Sequence, residues 1–258
     1  MSNIGCSVIL ERNGLPYCFW LHNDRLFMSL ASMFRTTVMQ KAIVAVTGLV
    51  MVLFLIGHLS GNLLVYAGPE AINAYAAGLR DVAALLWTAR IILLASLVLH
   101  VYYTIRLRRL SYQARPVGYR QQQYAASTFA SRTMLLTGLL IFSYVAFHLA
   151  HFTWGKIYPQ YYAATYFLDG RGPVHDVYSM VVRSFQEWWV AALYIVAVTM
   201  VMIHLVHATQ SALQTLGIYN QRYVQPIRKA SLVLAIVLWI GYVSIPLACL
   251  SHMIEPLS

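Results

Sequence analysis

Charge is scarce in this sequence. Only 10% of the 258 residues are Asp, Glu, Lys or Arg, and just eight of them are acidic. A soluble domain of this size carries roughly 25% charged residues. Cysteine is scarce too: Cys6, Cys18 and Cys249 form neither a CxxC nor a CxxCH. That spacing excludes a disulfide framework, an Fe–S site and covalent attachment of haem. The first thirty-odd residues lack a continuous apolar stretch with a small-residue cleavage site, so no signal peptide is expected. What is abundant is apolar surface, 60% of residues with a mean hydropathy of +0.63. The net charge of +10 does not point to nucleic acid, because the basic residues punctuate apolar runs instead of forming a stripe on a polar face.

Five apolar runs, Val38–Val65, Leu85–Ile105, Thr133–Trp154, Trp188–Leu216 and Lys229–His252, each approach the roughly 20 residues that cross a hydrocarbon core. They predict an all-α polytopic membrane protein whose termini lie on opposite sides. Lys and Arg set the orientation. Thirteen fall on one side: Arg12, Arg25, Arg35 and Lys41 up to the start of the first run, Arg106 to Arg132 between the second and third, and Arg222, Arg228 and Lys229 up to the start of the fifth. The other side has Arg80, Arg90, Lys156, Arg171 and Arg183, together with most of the acids. The expected location is therefore the inner, cytoplasmic membrane of a cell, with the N-terminus cytoplasmic and the C-terminus outside. Tyr66, Trp87, Trp154, Trp188 and Trp189 mark the outer helix ends. The outer connections 67–84 and 155–187 are long enough to pack against those ends. Residues 1–35 read as a cytoplasmic extension, with Met28 and Met33 as alternative starts, and residues 36–258 as one five-helix unit without an internal repeat.

Six of the nine histidines fall within the apolar runs: His58, His100, His148, His151, His204 and His207. An ionisable group at membrane depth is costly and usually functional. Against this stands the ordinary reading of a buried histidine as an interhelical hydrogen bonder. Depth separates the two readings. At 1.5 Å per residue, His58 and His148 lie roughly 25 Å from the cytoplasmic ends of their helices. His100 lies roughly 9 Å from Arg106, and His204 roughly 24 Å from Trp188, which puts both near the inner face. The first and third runs thus offer one pair, the second and fourth another. Opposed imidazoles suit bis-histidine ligation of a b-type haem, which takes one neutral ring nitrogen on each side of its iron. Zinc would need its ligands to converge at one point, and a proton relay lacks an accompanying intramembrane carboxylate. Spacing leaves His151 and His207 open as alternatives to His148 and His204. Gly48, Gly57, Gly61 and Gly138 leave room for close packing, and Arg106, Arg108 and Arg109 lie near enough to pair with propionates or simply to anchor the inner face. His22, His175 and His252 fall outside the runs or at their ends and read as surface residues.

The stretches FLIGHLSGN (54–62), GPEAINAYA from Gly68, LVLHVYYTIR, TGLLIFSYVAFHL and HLVHATQSALQTLG from His204 occur in an order and spacing that resembles the cytochrome b558 subunit of succinate dehydrogenases and fumarate reductases. The likeness runs from about Thr36 to the end. It implies a five-helix anchor holding two non-covalent haems b, with His58, His148, His100 and His204 as axial ligands to iron and residues 36–258 as the cytochrome b domain. It further implies flavoprotein and iron–sulfur partner subunits on the cytoplasmic face, membrane lipid around the helices, and electron transfer from succinate through the haems to a quinone, menaquinone in many relatives. The chain would then be the subunit of an oxidoreductase that carries no catalytic flavin. Some fumarate reductase relatives have a glutamate two residues before the fourth-helix ligand; here that residue is Met202. Asn62, one turn beyond His58, is a candidate quinone contact. The rival readings are the cytochrome b subunit of another quinone-linked dehydrogenase, such as a hydrogenase or formate dehydrogenase, and a haem-free transporter or anchor.

Overall fold

The structure is a computed structural model and describes residues 9–12, 15–18, 34–114, 129–218 and 220–257. Cys6, His22, Arg25, Met28, Met33, Arg115 and Arg120 lie outside the described residues, as does most of the proposed N-terminal extension. Backbone contacts divide the chain into two compact units, Met1–Met39 and Gln40–Ser258. In the first, β1 (Ile9–Arg12) and β2 (Leu15–Cys18) pair antiparallel with Arg12 opposite Leu15. Asn13-Gly14 between these segments is the sequence signal for the hairpin, which the helical pattern of the rest of the chain does not foreshadow.

Five long helices dominate the second unit: α1 (Thr37–Asn62, begun in the first), α3 (Ala83–Gln113), α4 (Phe129–His148), α7 (Trp188–Thr215) and α8 (Gln221–Leu250). All five are long and apolar enough to cross a membrane. Their most apolar windows are little buried, only 6% in α3 and in α4, so lipid must cover most of that surface. The chain is a multi-pass membrane protein. The helices outrun the apolar runs at the loop ends. The second reaches Gln113 instead of Ile105, because arginine and leucine propagate a helix beyond the hydrocarbon. The fifth starts at Gln221 instead of Lys229, where the Asn220 side chain accepts from the Arg222 amide at 3.1 Å.

One end of the bundle, hereafter the cap end, collects the long connections. A 3₁₀ turn (Leu63–Ala67) closes α1, and Gly68 at φ 97° turns the chain into α2 (Pro69–Asp81). After α4 come a π turn (Leu149–Thr153), the single turn α5 (Pro159–Tyr162), the hairpin β3 (Thr165–Leu168) with β4 (Gly172–His175), and α6 (Val177–Gln186). Both connections pack against the helix ends as expected. Val65, Ile72, Val182, Val190 and Cys249 share one buried cluster there. Polar contacts pin the same layer. Buried Asn73 donates to Asp176 Oδ1 at 3.0 Å and accepts from the amides of Val177 and Tyr178 at 2.8 and 3.1 Å. Asp176 in turn caps α6 through the Ser179 amide. Arg171 forms a two-pronged ion pair with Asp81. Tyr66, Trp87, Trp154, Trp188 and Trp189 are exposed at the cap-end helix termini, the arrangement of an interfacial belt.

Candidate functional site: two levels of histidine

The cap-end level is formed by α1 and α4. The rings of His58 and His148 stand edge to face with centroids 5.8 Å apart. Phe54, one turn below, stacks on His58. His148 is the last residue of α4, and the π turn that follows brings His151 inward. Single π turns in α-helices recur at functional sites. Both His151 ring nitrogens are engaged: Nδ1 with the Tyr194 hydroxyl at 3.0 Å and Nε2 with Ser184 Oγ at 3.2 Å. His148 has only its Nδ1 placed, 3.5 Å from the same Tyr194 hydroxyl. Of the two histidines that spacing left open, His148 is the one with an uncommitted Nε2.

At the open-end level, His100 of α3 lies against α1. Its Nδ1 is 3.0 Å from the Val44 carbonyl oxygen and 3.3 Å from Thr47 Oγ1. A carbonyl can only accept, so Nδ1 carries the proton and Nε2 keeps its lone pair. His204 of α7 reaches the same state against α4. Thr137 donates its hydroxyl to the Thr133 carbonyl at 3.0 Å, so towards His204 Nδ1, 3.2 Å away, it acts as acceptor. His204 also lies within electrostatic reach of His100. His207, one turn further towards the open end, is half-buried.

The glycines divide by what they face. A Cβ on Gly48 would stand 3.3 Å from the His100 ring, and one on Gly138 3.6 Å from the His204 ring. Gly61 instead admits the Tyr75 ring of α2, and a Cβ on Gly57 would meet nothing within 4 Å. The TGL tripeptides at Thr47 and Thr137 each precede a histidine, His58 or His148, by 11 residues. The two segments share one spacing, and each packs on a histidine of the other level.

Other expected contacts land elsewhere. Asn62 donates to the His58 carbonyl at 2.6 Å, closing its own helix. Arg108 donates to the Tyr112 hydroxyl at 2.9 Å and covers its ring. Met202 packs against an apolar cluster of α1, α7 and α8. His252 is exposed beside Glu255, as a surface residue should be, whereas His175 packs half-buried against the Tyr162 ring. Asn73, Asp176, Tyr194 and Ser184 escaped the sequence reading. A lone Asn, Asp, Tyr or Ser in a connection or an apolar run carries no periodic signal.

Imidazole nitrogens at these two levels are donors of the kind that haem iron takes. Among the described residues, no three His, Cys, Asp or Glu side chains converge. Two imidazoles sharing one metal at about 2 Å from each nitrogen place their ring centres about 6 Å apart, close to the His58–His148 spacing. Backbones pack most closely between α7 and its neighbours α8 and α4, while α1 and α3 meet the bundle through side chains. Among the described residues, the buried hydroxyls of Thr104, Thr209 and Ser231 meet no hydrogen-bond partner, and each lies within ten residues of the open end of its helix. Unsatisfied buried donors of this kind call for an additional acceptor. Compared with known proteins, the chain matches no family model, no curated protein and no solved structure.

Proposed function

We propose that this chain is the membrane-anchor cytochrome b subunit of a succinate:quinone oxidoreductase, with two non-covalent haems b held by His58 with His148 and by His100 with His204. One observation supports this above the rest: at two separate levels of a bundle of membrane-spanning helices, Nδ1 of His148, His100 and His204 is engaged while, among the described residues, their Nε2 meets no hydrogen-bond partner. Ligating histidines characteristically use their second nitrogen in this way, which fixes the tautomer and orients the ring. Bound at these levels, haem supplies one-electron carriers stacked across the membrane. The chain's own part is orientation and exclusion. Val44, Thr47 and Thr137 hold the open-end rings, and Phe54 and Tyr194 the cap-end rings. The apolar helix faces keep water out.

The excess of Lys and Arg in the N-terminal segment and in the connections before α4 and α8 supports a cytoplasmic placement of the open end, where flavoprotein and iron–sulfur subunits would dock. The succinate assignment and the quinone, menaquinone in this reading, rest on the family resemblance alone.

The test is purification of the intact complex from native membranes, followed by a pyridine haemochrome assay. Two haems b per chain, a covalent-flavin subunit and reduction of the haems by succinate are expected. A folded preparation without haem would overturn the cytochrome reading, and a nickel or molybdenum partner the succinate reading. His58→Ala and His148→Ala should remove one spectral component, and His100→Ala and His204→Ala the other.

A further inference from the structure

The two histidine levels are not held alike. At the open end, Nδ1 meets a backbone carbonyl or a threonine whose proton is already spent on its own helix. At the cap end, His148 Nδ1 meets a phenol that belongs to a longer chain of groups. Tyr194 on α7 lies between His148 and His151, and His151 reaches Ser184 on the cap helix α6. His151 is 2% exposed, Tyr194 4% and Ser184 0%, so water does not compete for these bonds.

We infer that Tyr194, His151 and Ser184 form a one-way hydrogen-bonded relay that positions His148 and raises its electron donation through Nε2. The direction follows from donor counting and rests on the reading of His148 as a haem ligand. If Nε2 is to offer a lone pair, Nδ1 carries the ring proton and donates it to the Tyr194 oxygen. The single Tyr194 proton is then free to point at His151 Nδ1. His151 must in that case hold its own proton on Nε2 and donate it to Ser184 Oγ. Each of the three hydrogen bonds then has one donor and one acceptor. A phenol that donates onward is a stronger acceptor than one that does not, because successive hydrogen bonds polarise one another. The relay therefore gives the His148 ring more anionic character than the Tyr194 phenol alone would. A more basic axial ligand stabilises the ferric state and lowers the reduction potential.

The relay also explains the π turn. It turns His151 back into the bundle three residues after His148, where both nitrogens find partners. Ser184 ties the relay to the layer pinned by Asn73 and Asp176, so the cap structure reaches the ligand through three side chains.

The experiment uses the intact complex, with redox titration of both haems and low-temperature electron paramagnetic resonance of their low-spin signals. Tyr194→Phe keeps the ring and removes the acceptor. It should retain two haems, shift the midpoint of the component missing in His58→Ala to a more positive value and move that component's low-spin line. The other component should stay in place. Ser184→Ala should shift the same component in the same direction by less. Unmoved midpoints and lines in Tyr194→Phe, or a shift of the other haem, would overturn the relay. If Tyr194→Phe fails to hold the cap-end haem, Ser184→Ala decides: a positive shift supports the relay, an unmoved midpoint overturns it. A wild-type complex without haem defeats the cytochrome reading itself, before any variant is made.

Discussion

Asn73→Ala removes the side chain that joins α2 to the start of α6. Asn73 is fully buried and makes three hydrogen bonds, one as donor to Asp176 and two as acceptor from the Val177 and Tyr178 amides. Those amides lie in the first turn of α6, where no intrahelical carbonyl is in reach. Alanine leaves both unpaired and takes a donor from a carboxyl that is only 4% exposed. An unsatisfied buried group costs about 1–3 kcal/mol, and partial hydration of Val177 recovers some of it, so the expected loss is about 3–5 kcal/mol. The loss is local, because α1, α3 and α4 do not depend on this contact. Amide hydrogen exchange across 176–186, followed by mass spectrometry in detergent, reads it directly. At about 1.4 kcal/mol per factor of ten, exchange there should accelerate more than a hundredfold, with α3 and α4 unchanged. Acceleration below about tenfold would refute the claim that this contact holds the cap, on the same conversion.

Acid should loosen the same layer. Burial, and then the nearby Arg80, depress the His175 pKa against the opposing pull of Asp176, while the Arg171 hydrogen bond depresses that of Asp81. A depressed pKa contributes stability that is present above the unfolded value and lost as pH falls through the folded one. Relative to the intrinsic amide rate at each pH, exchange in β3, β4 and the end of α2 should therefore rise as pH falls below about 6.5, and again in the carboxylate range. His175→Gln should abolish the first rise only; a rise that survives it would remove His175 from the account. Gly241→Ala should destabilise the bundle, since its Cβ would stand 2.7 Å from Leu59 Cδ2 in a buried contact. Overpacking of this kind costs about 1–3 kcal/mol, measurable as a lower thermal midpoint in detergent. An unchanged midpoint would show that α1 can yield at Leu59.

The five spans were legible because lipid imposes a long apolar run on each, and the His58–His148 pairing was legible because depth follows from residue count along a helix. The cap was less so. Its existence could be read from the length of the connections, but its lock depends on Asn73 meeting Asp176 more than a hundred residues away in sequence. Nothing local in either segment encodes that contact. The choice between His148 and His151 was hidden for a related reason. Three residues apart on a regular helix, they share a face; the π turn separates them, and only the partners Tyr194 and Ser184 show which nitrogen remains uncommitted. Asn62 lies one turn beyond His58 as its spacing implies, and its amide donates to the His58 carbonyl, a contact that spacing alone does not reveal.

The repeated TGL segments account for much of the two-level arrangement. Eleven residues advance an α-helix by three turns and about 20°, so a threonine and a histidine at that spacing leave the same face roughly 16 Å apart. In α1 the threonine is Thr47 and the histidine His58; in α4 they are Thr137 and His148. Each helix therefore presents one stripe to the bundle, with an acceptor near the open end and a ring near the cap. The glycine after each threonine lets a ring from the next long helix approach, His100 on α1 and His204 on α4. The threonine or a neighbouring carbonyl then fixes that ring's proton on Nδ1. Two segments of one pattern thus set both levels at once, the lower by holding another helix's histidine and the upper by supplying their own. A spacing of ten or twelve would rotate the upper ring by about 100° away from the lower contact, and the two levels could no longer share a face.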